Sequence, residues 1–267
     1  SLTPRVYDVL GLVHPFIAQA KLILREAWML KCNWDAALPV VLEKQWQRWI
    51  NQLPDLGKIR IKRNILVSHD VQPADAAAAC NLSIESFGDA SDVMIGACTY
   101  LRCELNAEVL VSLIGAGSRV KNMPATCTIA RKELCSIVEA SELACARARS
   151  LNIPKDRIYV YTDSRISYHW CRARDPSCWE VFVANRVQRV QELILPQNIR
   201  WVSGSINPAD MASRFVDIAS FTCNPIWWYG PFFLMSPSEN FRESMELEIS
   251  ARERDVLSQH VRKIKAW

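Results

Sequence analysis

From Ala37 to Leu53 the apolar residues Leu38, Val41, Leu42, Trp46, Trp49, Ile50 and Leu53 recur at helical spacing, which predicts one amphipathic helix closed by Pro54. An earlier helix is expected from about Pro15 to Cys32, so the first 60 or so residues read as a helical unit. Lys58, Arg60, Lys62 and Arg63 then form a strand-like basic stretch. A solvated edge strand is the simpler account of those charges, and contact with backbone phosphates is the alternative. Beyond a polar, alanine-rich junction near residues 71–80 the pattern changes to three β-like runs, Ile84–Phe87, Ile95–Arg102 and Glu108–Ile114, which suit an antiparallel meander.

A long helix is expected from about Thr128 to Ser150, followed by the wholly apolar run Ile158–Tyr161, which reads as a central strand buried on both faces. A short helix starts after Asp163, another fits Phe182–Leu195, the run Ile199–Val202 suits a strand, and a last helix begins at Pro208, a permitted first-turn position. The order is βββαβα, helix, β, α, an α/β fold with a mixed five-stranded sheet flanked by helices and an N-terminal helical segment. The expected division is a helical segment over 1–75, the sheet domain over 80–216, and over 217–267 an aromatic docking segment (Trp227, Trp228, Tyr229, Phe232, Phe233) with an exposed charged helix at Glu239–Lys265.

With 267 residues, half of them hydrophobic, the chain can bury a sizeable core. Its net charge of +4 does not by itself advertise nucleic-acid binding, so local basic stretches carry that question. The ten cysteines are scattered without a CxxC pair or a secretory leader, which suggests a reducing compartment and buried thiols, not disulfides or zinc. No apolar run approaches a membrane span, and the start at Ser1 suggests a fragment of something longer.

Four acids stand out by context: Asp89 in Phe87-Gly88-Asp89-Ala90-Ser91, Glu133 in Arg131-Lys132-Glu133-Leu134, Asp163 in Tyr161-Thr162-Asp163-Ser164, and Asp210 in Asn207-Pro208-Ala209-Asp210. Asp89 and Asp163 each end an expected strand, while Glu133 and Asp210 fall in the first turns of expected helices. Pairing of the two strands would bring four carboxylates to one sheet edge, a cage for the hard divalent cations that phosphodiester hydrolysis uses. Taken singly, each is equally an N-cap, a first-turn acid or a surface charge.

The segments Tyr7-Asp8-Val9-Leu10-Gly11-Leu12-Val13-His14-Pro15, Asn33-Trp34-Asp35, Thr128-Ile129-Ala130-Arg131-Lys132-Glu133-Leu134, Phe182-Val183-Ala184-Asn185-Arg186-Val187 and Asn207-Pro208-Ala209-Asp210-Met211-Ala212-Ser213-Arg214, with the motifs at Asp89 and Asp163, resemble the Pol polyprotein of BEL/Pao-type LTR retrotransposons. The match spans roughly residues 3–235, from the end of the reverse transcriptase region through the ribonuclease H domain. The resemblance implies a ribonuclease H fold, cleavage of the RNA strand of RNA–DNA hybrids with two Mg²⁺ ions (Mn²⁺ as substitute), and Asp89, Glu133, Asp163 and Asp210 as metal ligands. It further implies the reverse transcriptase and integrase parts of Pol as partners, a cytoplasmic setting within virus-like particles, no secretion and no membrane. The segment over 1–75 becomes a thumb- or connection-like element.

Substrate contacts are expected at Thr128, Arg131, Asn185 and Arg186. Thr128 resembles a threonine that meets a DNA phosphate, and it is equally placed to be an N-cap. Asn185 and Arg186 share a helix with Arg189, where a solvated face is the simpler account. Trp170, Trp179 and Trp201 are offered to bases or, more commonly for such residues, packed.

Relatives often carry a His shortly before the last Asp; Trp201-Val202-Ser203-Gly204-Ser205-Ile206 has none, and His169 stands too close to Asp163 along the chain to replace it. Nothing resembles the paired-Asp turn of polymerases, so DNA synthesis is not expected. An aspartic peptidase is disfavoured because Gly does not follow Thr162-Asp163-Ser164. The alternative to a nuclease is an inert nucleic-acid-binding or assembly module from a decayed or repurposed element.

Overall fold

The computed structural model describes residues 6–33, 35–66, 80–106, 108–120 and 127–237. Five strands form one sheet in the order β3-β2-β1-β4-β5: β1 (Asn81–Ala90), β2 (Met94–Leu105), β3 (Glu108–Val120), β4 (Ile158–Thr162) and β5 (Ile199–Trp201). The first three are an antiparallel meander, and β1-β4 and β4-β5 are parallel. The mixed five-stranded sheet is therefore as expected, with β1, β2 and β3 each running further than their apolar runs. β4 is buried along its whole length, as an all-apolar central strand must be.

Two cores lie on the two faces of this sheet. One is built by α3 (Ile129–Ser150), α4 (Arg165–Arg172) and α5 (Val181–Leu193). On α3 the buried residues Ala130, Leu134, Ile137, Ala140, Ala144 and Ala148 recur at three- and four-residue spacing, and the four alanines among them let the helix lie close to the strands.

The other face is covered by α1 (His14–Met29), α2 (Val40–Gln52) and three short helices, α6 (Asp210–Ser213), α7 (Ile218–Thr222) and α8 (Pro225–Tyr229). Phe16 and Trp49 stack with ring centroids 5.3 Å apart and belong to the same cluster as Phe87, Tyr100 and Tyr161 of the sheet. The fully buried Trp49 donates from Nε1 to the Phe16 carbonyl at 3.0 Å, so its ring is packed and its polar atom satisfied. The N-terminal helices thus share a core with the sheet. The aromatic segment docks there too: Trp227 is fully buried, and Tyr100 donates its hydroxyl to the Trp227 carbonyl at 2.8 Å. Arg102, wholly buried, donates to the carbonyls of Leu234 (2.9 Å) and Ser236 (2.7 Å) and pairs with Glu104 at 2.8 Å, holding the segment after the aromatic cluster against β2.

Three expectations need correction. The helix ending at Gln52 is followed by a 3-10 turn, Leu53–Lys58, because Pro54 falls in that turn's first positions, where no amide hydrogen is needed. The basic stretch after it is not a strand, since residues 59–66 join no sheet among the described residues. The last helix of the sheet domain starts at Asp210, not Pro208, and is one turn long. The charged segment Glu239–Lys265 and junction residues 71–79 lie outside the described residues.

Candidate metal centre

Parallel pairing of β1 with β4 places Phe87 beside Tyr161, so Asp89, next to last in β1, and Asp163, just past β4, each two residues further on, stand at the same level. Glu133 reaches them from the first turns of α3. The approach depends on Gly88: a side chain there would lie 2.7 Å from the Ser136 carbonyl oxygen, so only glycine lets the helix backbone rest on β1. Thr128 caps α3, accepting from the Arg131 amide at 3.4 Å, and fixes where the helix begins. Asp89, Glu133 and Asp163 offer oxygens that all lie within 4.8 Å of one another.

Asp89 and Glu133 are 4% and 7% exposed, and this depth decides their chemistry. Burial, with Asp163 and Asp210 nearby, pushes the Asp89 carboxyl up to about 6 against the opposing hydrogen bond from Ser213. Burial, then the charges of Asp89 and Asp163, pushes Glu133 up to about 9. Asp163 is raised as well, again mainly by burial. Two buried carboxyl groups and a half-buried third that repel one another in this way suit a hard cation, whose charge would replace their protons. The all-oxygen donor set favours Mg²⁺, Mn²⁺ or Ca²⁺ over zinc.

Asp210 stands beside the triad, close enough to influence Asp89 and Asp163 electrostatically, but its carboxylate binds Arg214 at 2.5 Å and is not one of the three convergent groups. Both partners of that pair are well exposed, so it is worth only about 0.2–1 kcal/mol and is easily exchanged.

The expected substrate contacts are placed unevenly. Asn185 is exposed on α5. Arg186 lies over the Phe182 ring, its Cζ 3.5 Å from the centroid, and donates to the Cys135 sulfur at 3.2 Å. Arg131 is ion-paired with Glu180 and lies 5.2 Å from the same ring. Both arginines therefore help join the N-terminal ends of α3 and α5. Trp170 is fully buried against Trp179, and Trp201 donates from Nε1 to the Asp163 carbonyl at 2.9 Å, anchoring the end of β4.

Three supports escaped the sequence reading. Ser213 donates its hydroxyl to Asp89, and it reaches that acid because α6 rests on Gly96, where a side chain would meet the Ser213 amide at 2.6 Å. Asn207 donates to the Gly88 carbonyl at 3.1 Å, tying the loop before Asp210 to β1. Gly204 leaves room for the Asp163 carboxylate, which would be 2.8 Å from an added methyl. Ser213 follows Asp210 by one helical turn, a spacing that marks it as a candidate; Asn207 and Gly204 have no comparable local signal. The loop without a histidine is the one that packs against Asp163.

A mixed sheet in this order, helices on both faces and acids converging where β1 and β4 end, define an RNase H-like protein. Residues 1–164 match the family described as the Pao retrotransposon-like RNaseH-like domain, and the chain belongs to that family. Among solved structures it is similar to RNase H1 from the halophilic archaeon Halobacterium salinarum (15% identity, 48% of this chain and 89% of that one, TM-score 0.26). It is also similar to the N-terminal RNase H domain of rv2228c from Mycobacterium tuberculosis (16% identity, 48% and 91%, TM-score 0.26). The foamy viral protease-reverse transcriptase solved in complex with double-stranded DNA is similar at 12% identity, over 73% of this chain and 34% of that one, with a TM-score of 0.28. No curated protein is significantly similar to the chain. Among the described residues no helix is long and apolar enough to cross a membrane.

Proposed function

We propose that this chain is a metal-dependent endonuclease that hydrolyses the RNA strand of RNA–DNA hybrids during retrotransposon reverse transcription. The observation that carries the proposal is the convergence of Asp89, Glu133 and Asp163 at one sheet edge in a member of this family. These residues would hold two Mg²⁺ ions, or Mn²⁺ in their place, with Asp210 joining when a cation replaces Arg214. Bound there, the metal would supply an activated water and charge stabilisation for the departing oxygen. Ser213 orients the Asp89 carboxylate, Gly204 keeps the face of Asp163 open, and Trp201 fixes the strand end that carries it.

The hybrid backbone would cross the exposed surface near Thr128 and Asn185, while Arg131 and Arg186 act by holding α3 and α5 together. The remaining Pol segments, reverse transcriptase and integrase, would be its covalent or assembly partners, in cytoplasmic virus-like particles. The test is cleavage of a labelled RNA–DNA hybrid with and without Mg²⁺, beside single-stranded and duplex RNA and an Asp163→Asn variant of unchanged fold. Metal-dependent cutting of the hybrid alone, lost in the variant, is the expected result. A second reading rests on the engagement of Asp210 by Arg214 and on the histidine-free loop at Asp163: an inert hybrid-binding or assembly module, which would bind the hybrid without cutting it.

A further inference from the structure

The basic stretch after α2 belongs to no part of the carboxylate centre, yet it is built into a cavity. A cleft of about 460 Å³ is lined by Asp55, Lys58, Arg60, Thr222, Trp228 and Tyr229 among others. A second, of about 80 Å³, continues along β3 and shares Arg60, Trp228 and Tyr229 while adding Lys62. The two clefts thus adjoin along Ile59–Lys62, with Trp228 and Tyr229 in the lining of both.

Its charge is unbalanced. Three cations, Lys58, Arg60 and Lys62, line the two clefts against one acid, Asp55, and that acid is paired with Lys58 at 2.6 Å. Among the described residues Arg60 bonds the carbonyls of Gly57 (2.6 Å) and Ile59 (3.2 Å), both through Nη1, which leaves its other guanidinium nitrogens to offer to an anion. Arg60 and Lys62 are both exposed. In the same lining, Trp228 is held by donating from Nε1 to the carbonyls of Phe221 (3.3 Å) and Thr222 (3.2 Å), and Tyr229 is 47% exposed.

Cations spaced along one segment, in clefts whose lining they share with a fixed indole and a half-exposed phenol ring, match a ligand that alternates anionic groups with flat rings. The geometry points to a binding groove for unpaired nucleic-acid strand, with backbone phosphates on Arg60 and Lys62 and a base against Tyr229. A base within a duplex is already stacked on its neighbours, so a ring wall inside a cleft selects a strand whose bases are free. The cleft lies beside Leu110–Leu113 of β3, which pair with Cys103–Tyr100 and through them with Leu82–Glu85, the start of β1. Asp89 lies at the other end of that strand, roughly 20 Å away. The groove is therefore a second contact, separate from hydrolysis.

The experiment is fluorescence anisotropy of a labelled oligothymidylate with the full chain in EDTA, so that cleavage plays no part and a failure of the nuclease reading would leave this result standing. Tyr229→Ala is expected to weaken binding about 10-fold, and Tyr229→Phe, which keeps the ring, to leave it within about 2-fold. Removing both cations with Arg60→Ala and Lys62→Ala should lower the slope of log affinity against log salt by about 1.4. A charge-matched pair on other exposed surface, Lys31→Ala with Arg174→Ala, should cost less than the groove pair. Equal losses from both pairs, or unchanged binding in Tyr229→Ala with a native melting curve, would overturn the proposal. So would displacement by polyglutamate as effective as by unlabelled oligothymidylate, which would make the groove a site for acidic peptide.

Discussion

Glu85 and Asp89 stand four residues apart on the same side of β1, both buried, and the protein treats them in opposite ways. Both carboxyl oxygens of Glu85 receive a donor: the Ser83 hydroxyl at 2.6 Å and the Tyr161 hydroxyl at 2.9 Å. Asp89 has the Ser213 hydroxyl and then two more acids, Glu133 and Asp163, close around it. The first environment is complete as it stands, and the second needs protons or a cation. Burial alone therefore does not mark a functional acid; its company does.

The comparison is sharpened first by activity. Glu133→Gln should lower hybrid cleavage by about 10³-fold or more, because it removes an anionic metal ligand worth several kcal/mol. Glu85→Gln should leave the rate within a few-fold in the same assay. Gly204→Ala tests whether space at Asp163 matters: the added methyl must displace that carboxylate, and a shift approaching 1 Å costs about 10²-fold in rate with little effect on melting.

Stability should reverse the order. Glu85→Gln leaves an amide hydrogen facing a hydroxyl donor and should cost about 1–3 kcal/mol in chemical denaturation. Asp89→Asn should stabilise the metal-free protein by about 1–2 kcal/mol at neutral pH, since it removes one of the repelling charges. The pH profile of the metal-free protein carries the same asymmetry. Asp89 and Glu133 bind protons more tightly in the folded chain than in the unfolded one, where carboxyls titrate near 4, so their contribution is intact below that value. Stability of the metal-free protein should fall as pH rises through about 6 and on towards about 9, and saturating Mg²⁺ should flatten the decline. A metal-free protein whose stability rises across that window would contradict the assignment.

The five strands and the four longest helices, α1, α2, α3 and α5, were legible because their apolar patterns answer to burial on one or both faces. So were three of the four acids, which fall where β1 and β4 end and α3 begins. What local patterning does not reveal is what each face meets. The amphipathic face of α2 predicts burial but not that Trp49 would join Phe87 and Tyr100 in one core. The charges from Lys58 to Arg63 alternate like a strand, yet among the described residues no neighbouring edge receives them. Gly88, Gly96 and Gly204 act through atoms far away in sequence, so their importance becomes visible only when the chain is folded.

The most direct test is a calorimetric titration of Mn²⁺ into the wild-type chain, Asp163→Asn and Glu85→Gln. Binding by the wild type and Glu85→Gln, lost or greatly weakened in Asp163→Asn, is the predicted result. Equal Mn²⁺ binding by Asp163→Asn, or none by the folded wild-type protein at millimolar metal, would show that the three carboxylates do not form a cation centre.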